Sequence, residues 1–172
     1  MIIQTFLLTT ITAWLLTPLT AFAWPPAVGR EASTGTSLQF DLEPIEFSNY
    51  LDLSNRLIKP KFFNPNKKYP VVLVLPSCGG SKGKNENQMQ YWVREIVTAG
   101  FLVMNVDSLT PRGFTLNCRP RPIEDGRLLR DAYDAANMLQ DLPFVDAEKI
   151  FTIGFSAAHL LQGSTIPIRV RC

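Results

Sequence analysis

The residues best suited to carry out chemistry are GFSAA at positions 154–158, which directly follow the apolar run 150–153. This pattern predicts a strand, a tight turn and a helix in succession, with the serine at the apex of the turn. In such an arrangement the serine hydroxyl is lifted clear of the sheet. The arrangement also leaves the next N–H group free to bind a developing oxyanion. The spacing therefore indicates nucleophilic chemistry at Ser156. The alternative is a buried strand that enters a helix with an incidental serine, because Ala158 replaces the last glycine of the G-x-S-x-G pattern.

Length and composition narrow the class of protein. The chain has 172 residues, 46% hydrophobic and 19% charged, which suits one globular domain. A formal net charge of +2, without any Lys- or Arg-rich block, does not favour a nucleic-acid partner. No Cys and His cluster has metal-ligand spacing, and no glycine-rich phosphate-binding signature precedes a helix. The sequence therefore predicts neither a metal nor a cofactor.

The N-terminus has the features of an export signal. Residues 6–22 are almost entirely apolar or threonine, and Ala-Phe-Ala at 21–23 fits a signal-peptidase site. Residues 1–23 are therefore predicted to be a signal peptide, and the protein to be periplasmic or secreted without membrane attachment after cleavage. No basic side chain precedes the apolar run, and about 20 apolar residues can span a bilayer, so an uncleaved anchor is the alternative.

The segment after the signal is predicted to be peripheral to the fold. Residues 24–54 are interpreted as a flexible lead-in and edge strand, with Pro, Gly, Ser and Thr concentrated in 24–37. Short apolar segments continue to Asn64, and Pro60 among them cannot donate to a central ladder. One or two edge strands are expected here.

Beyond this segment, strands and helices alternate. The unbroken apolar runs 71–75 and 101–106 predict strands buried on both faces. A helix capped by Asn85 lies between them, and a helix capped by Asp125 precedes a third strand at 149–153. This order predicts an α/β fold with a mostly parallel sheet and helices on both faces.

The features that suggest a family follow in a fixed order: the strand at 71–75, the loop Pro76-Ser77-Cys78-Gly79-Gly80, a helix, Asp107-Ser108 with Pro111-Arg112-Gly113, a second helix, and Ile153-Gly154-Phe155-Ser156-Ala157. This order resembles an α/β-hydrolase, and most closely the exported branch of the dienelactone hydrolase family. The resemblance covers roughly residues 55–159, and residues 55–162 would be the N-terminal part of the domain. It implies Ser156 as nucleophile, backbone N–H groups of Ala157 and Cys78 as oxyanion donors, and a small carboxyl ester or lactone as substrate.

The acid and base of that family follow the serine in chain order. Here His159, the one histidine, lies three residues after Ser156 on the same predicted helix and is poorly placed to reach the hydroxyl. An irregular tail, residues 163–172, follows. The sequence thus predicts an incomplete α/β-hydrolase fold, inactive as it stands, from a fragment or from a frameshift near Ala158. The alternative is an exported non-catalytic binding or structural module that retains half of the fold and needs its outer sheet edge covered.

Export bears on the three cysteines, because disulfides persist outside the cytosol. At most one internal pair can form among Cys78, Cys118 and Cys172. A Cys78–Cys118 pair would close a loop of about 40 residues and stabilise the fold by roughly 4 kcal/mol. Two unpaired thiols that lie in loops are the alternative.

Other polar residues could line a cleft. Asp107 ends a predicted parallel strand, where ligand sites gather, but aspartate at such a junction is commonly a turn former, which we favour. An anionic substrate could meet Arg112, Arg119 and Arg121, although a solvated loop face is the simpler interpretation. The sequence predicts neither the exact substrate nor the oligomeric state.

Overall fold

The computed structural model describes residues 37–49, 51–119 and 121–156. The predicted signal peptide 1–23, Ala157, His159 and the tail 163–172 lie outside the described residues. Within the described part of the chain, no helix is long and apolar enough to cross a membrane.

The described elements alternate as the sequence predicts from the third strand onwards. They are β1 (Asp41–Glu46), β2 (Arg56–Lys59), β3 (Tyr69–Leu75), α1 (Glu86–Thr98), β4 (Leu102–Asn105), α2 (Asp125–Gln140) and β5 (Val145–Gly154). Short 3-10 turns at Gly83–Asn85 and Thr110–Arg112 lie in the loops that follow β3 and β4.

The strands form one sheet in the order β1-β2-β4-β3-β5. β3 lies between β4 and β5 and is parallel to both, with Val72 opposite Val103 on one side and Val74 opposite Ile153 on the other. β1 and β2 are also parallel, whereas β2 and β4 are antiparallel. The prediction of a mostly parallel α/β sheet is confirmed.

Alternate residues of β3 enter separate hydrophobic clusters, because successive side chains of a strand point to opposite faces. Val71, Leu73 and Leu75 belong to the cluster that contains the apolar face of α2, whereas Val74 belongs to the cluster of α1. The buried apolar residues on these helical faces are Ala132, Ala135, Ala136 and Leu139 of α2, and Met89, Val93 and Val97 of α1. Helices therefore cover both faces of the sheet, as predicted.

Both predicted helix caps differ in detail. Asn85 lies at the N-cap of α1, but its amide Nδ2 donates to Ser77 Oγ (3.3 Å) and Gly80 O (3.4 Å) instead of capping the helix. Asp125 is the first residue of α2 and not its cap, because the extended residue before it takes the N-cap position. The Asp125 carboxylate accepts hydrogen bonds from Arg121 Nη1.

Two strand predictions also need correction. β2 was expected at an edge, but it lies inside the sheet, and Pro60 follows its last residue and so interrupts no ladder. β5 begins at Val145, four residues earlier than predicted. The backbone explains this extension, since Tyr69 N–H donates to Phe144 O at 2.9 Å and pairs the start of β3 with that of β5.

Candidate active site

Ser156 has an unusual backbone conformation at the end of β5. Its φ is 53°, and among the described residues Asn55 is the one other non-glycine residue with positive φ. The left-handed region costs an L-residue other than glycine roughly 1–2 kcal/mol. Asparagine tolerates it well, and Asn55 hydrogen-bonds the backbone on both sides of Asp107, whereas serine has no such local advantage. Ser156 comes two residues after a parallel strand, and backbone strain of this kind clusters at active sites.

The turn at Ser156 is anchored to the end of β3. Phe155 N–H donates to Leu75 O at 3.1 Å, and the Phe155 ring lies 5.9 Å from that of Trp92 on α1. Ser156 itself is exposed to solvent. The Ala157 N–H, predicted as one oxyanion donor, lies outside the described residues.

The loop that directly follows β3 carries the second predicted oxyanion donor. Gly79 N–H donates to Ser77 Oγ (3.2 Å) and Gly80 N–H to Ser77 O (2.9 Å). Gly80 has a φ of 72°, which favours glycine at the end of this turn. The Cys78 N–H has no hydrogen-bond acceptor within the described part of the chain. It remains available to a ligand oxygen, as an oxyanion donor must be.

The predicted disulfide between Cys78 and Cys118 is present, with Cα atoms 4.8 Å apart. Beside it, Asn117 N–H donates to Cys78 O at 2.6 Å. The loop that follows β3 is thus joined to the loop that follows β4 by a covalent bond and a hydrogen bond.

Asp107 is fully buried and forms the turn that we favoured over a ligand role. Its Oδ1 accepts the N–H groups of Leu109 and Thr110, both at 3.0 Å, and its Oδ2 accepts the Ser54 hydroxyl at 2.8 Å. Because both carboxylate oxygens are engaged, Asp107 is poorly placed to orient an imidazole.

The three loop arginines divide into two kinds. Arg119 and Arg121 are exposed, which agrees with a solvated loop face. For Arg112 that interpretation is wrong, since its guanidinium is buried and pairs with both oxygens of Asp131, at 2.7 and 2.9 Å. Arg127 also contacts Asp131 at 2.8 Å. The buried carboxylate accounts for the position of Arg112, and this cluster carries a formal charge of +1.

A small cavity of about 30 Å³ lies at the carboxyl ends of β3 and β4, where ligand sites gather in parallel sheets. Its lining residues are Leu75, Pro76, Ser77, Cys78, Gly80, Val106, Asp107, Ser108, Leu109, Asn117 and Leu128. This volume is enough for one or two water molecules. Ser156 does not line it, although Leu75, the partner of the Phe155 N–H, does. In the described ranges, no group of three or more His, Cys, Asp or Glu side chains could hold a metal ion.

Sequence reasoning missed Asn117 and Asp131 as organisers of the site. Asp131 lies on the same helical face as the apolar residues of α2, and a charged residue among apolar ones was the available signal. Asn117 lies in an irregular loop without periodicity, and the adjacent Cys118 was the one hint to its importance.

Comparison with known proteins finds limited similarity. No family model matches the chain, and no curated protein matches it. A solved structure from Bacteroides ovatus ATCC 8483, assigned provisionally as a dipeptidyl aminopeptidase IV, matches with 26% sequence identity and a TM-score of 0.39. The match covers 57% of this chain and 15% of that one. The match is thus to a hydrolase of much greater length, and at this extent it supports no assignment of activity.

Proposed function

We propose that this chain carries the nucleophile and oxyanion-binding part of an exported serine hydrolase of the dienelactone hydrolase type, which acts on carboxyl esters or lactones. The single observation that carries the proposal is the positive φ of Ser156 at the carboxyl end of β5. A strained backbone at a serine is retained where the surrounding structure imposes it, and such strain clusters at active sites. The ester or lactone class rests on the family resemblance alone.

The available Cys78 N–H supports the same proposal. The main chain connects the two groups directly, because Leu75, three residues before Cys78, accepts the hydrogen bond that anchors Phe155. In the proposed reaction, Ser156 Oγ bonds to the carbonyl carbon and the carbonyl electron pair moves to oxygen. That oxyanion accepts hydrogen bonds from the N–H groups of Cys78 and Ala157. The intermediate then collapses, the C–O bond to the alcohol breaks, and the alkoxide takes the serine proton; water later cleaves the acyl-serine.

The proton transfer lacks an identified base among the described residues. Without the base of a Ser-His-Asp arrangement, kcat falls by about 10⁶-fold, and oxyanion stabilisation and binding leave about 10³ to 10⁴-fold over water. We therefore expect the chain as it stands to be inactive in a routine ester assay. It should nevertheless retain a serine that is more reactive than its other serines.

Site-resolved labelling tests this expectation. The full chain is incubated with a fluorophosphonate, and the adduct at each serine is followed by peptide mass spectrometry. Ser156 should react at least about 100-fold faster than exposed Ser48, given the residual stabilisation. Ser156→Ala should abolish the fast adduct, whereas the matched control Ser48→Ala should not change it.

Equal rates at Ser156 and Ser48 in a folded monomer would refute the proposal. That outcome would favour the other class of function, an exported non-catalytic binding or structural module.

A further inference from the structure

Asn117 closes the loop between β4 and α2, because its side chain bonds to the backbone near the other end of the same loop. The residue is 3% exposed, and its side-chain amide pairs in both directions with the backbone of Ile123. Oδ1 accepts Ile123 N–H at 2.9 Å, and Nδ2 donates to Ile123 O at 2.8 Å. Ile123 is itself buried, two residues before α2 begins. The amide thus replaces a backbone partner and fixes the loop to the start of α2.

The same loop is joined to Cys78 by two consecutive residues. Asn117 donates its backbone N–H to Cys78 O at 2.6 Å, and Cys118 forms the disulfide with the Cys78 sulfur. The carbonyl of Cys78 and its side chain are therefore both held by the loop that Asn117 closes.

These contacts determine the direction of the Cys78 N–H. That N–H shares a planar peptide unit with Ser77 O, which accepts Gly80 N–H at 2.9 Å. The next peptide unit contains Cys78 O and Gly79 N–H, which are bonded to Asn117 N–H and Ser77 Oγ respectively. Hydrogen bonds hold both peptide planes that flank the Cα of Cys78. The Cys78 N–H, which lies in the first of these planes, is therefore fixed in one orientation.

We propose that Asn117 is a positioning residue for the Cys78 oxyanion donor, acting together with the Cys78–Cys118 disulfide. The catalytic relevance rests on the proposed function, whereas the positioning itself can be measured separately. A donor that is already aimed requires no reorganisation when charge develops on the substrate oxygen, and losing one such donor lowers kcat by about 10² to 10³-fold. The disulfide acts through rotatable side-chain bonds and leaves the backbone carbonyl free to turn. The loop that Asn117 closes prevents this rotation.

The first measurement is the backbone order parameter of Cys78, from ¹⁵N relaxation of the full chain. We expect about 0.85 in the unmodified chain and below about 0.6 in Asn117→Ala, with the disulfide intact. Leu139→Ala is the control, because it removes a fully buried core side chain near the other end of α2, and it should retain the higher value. If Asn117→Ala does not fold, Asn117→Asp keeps the size and the acceptor oxygen but loses the donor, and should give an intermediate value. An unchanged Cys78 value in the folded variant would overturn the proposal.

The second measurement is the fluorophosphonate rate at Ser156 in the same variants. Asn117→Ala should slow it by about tenfold or more, while the rate at Ser48 and the Leu139→Ala rate at Ser156 stay constant. If Ser156 shows no advantage in the unmodified chain, the proposed function fails, and the order parameters alone decide the positioning role. If Ser156 has the advantage and Asn117→Ala leaves it unchanged, the positioning role fails and the proposed function stands.

Discussion

The two sides of β3 hold their candidate catalytic groups in different ways. On the side of β4, the Cys78 N–H belongs to a loop that a disulfide and a backbone hydrogen bond join to the loop after β4, which the paired amide of Asn117 closes. On the side of β5, Ser156 follows the backbone hydrogen bond from Phe155 N–H to Leu75 O and has a strained φ. The candidate oxyanion donor is thus held by cross-links between loops, whereas the candidate nucleophile is held by its backbone conformation.

Buried carboxylates on the β4 side extend the contrast. Asp107 and Asp131 are both fully buried, but neutral donors satisfy Asp107, whereas the guanidinium groups of Arg112 and Arg127 contact Asp131. Each carboxylate stabilises a loop or its junction with α2, and neither is available to hold a catalytic histidine. The buried carboxylates on the β4 side thus stabilise the fold.

Asp131→Asn should produce the largest effect, because it removes the negative charge between two buried guanidinium groups. Removal of one partner from a buried ion pair costs about 3 to 5 kcal/mol, since the remaining charge is left uncompensated. We expect the free energy of unfolding in urea to fall by that amount.

The matched control is Asp125→Asn on the same helix. Its pair with Arg121 is about half exposed on both sides, so the loss should be below about 1 kcal/mol. Equal losses for the two variants would contradict the view that the β4 side depends on buried polar contacts.

The sequence predicts those elements whose apolar residues recur in a regular pattern. Unbroken apolar runs predict β3 and β4, and the 3.6-residue spacing of apolar side chains predicts α1 and α2. Local turn chemistry likewise predicts the role of Asp107, because an aspartate bonds N–H groups two and three residues ahead.

Contacts between distant segments could not be predicted in this way. Arg112 and Asp131 are 19 residues apart, and their pairing depends on how the loop after β4 returns to α2. The antiparallel placement of β2 beside β4 is another long-range outcome, since the apolar pair Leu57 and Ile58 fits an edge and an interior strand equally well. The disulfide was predictable because a predicted export signal favours disulfides and three cysteines leave few pairings.

Ser156→Gly tests the other side of the comparison. Glycine adopts positive φ without steric cost, so this variant should be more stable than Ser156→Ala by about 1 kcal/mol in urea unfolding. Ser48 is the control, because its φ is not positive, and there glycine should be less stable than alanine by about 0.4 to 1 kcal/mol through the greater entropy of the unfolded chain. No gain from glycine at position 156 would mean that the turn at Ser156 is not strained.

Asp52→Asn should give the smallest effect and a defined pH dependence. Burial raises the pKa of Asp52, but hydrogen bonds from Lys82 and Ser54 lower it by more, so the pKa lies below its ordinary 3.8. The hydrogen bond to Asp52 correspondingly raises the pKa of Lys82. Since the folded-state pKa of Asp52 is depressed, its stabilisation is present above the unfolded-state value and is lost as pH falls through the folded-state value.

The pair is about half exposed, so Asp52→Asn should cost less than about 1 kcal/mol at neutral pH and nothing in stronger acid. Urea unfolding across this range measures the difference, with Asp41→Asn as a control that removes an exposed carboxylate without an ion pair among the described residues. Because Lys82 lies in the loop that carries Cys78, a loss several times larger would show that this exposed pair helps to fix the loop. A loss that persisted below the folded-state pKa would assign the effect to the amide substitution and not to the charge.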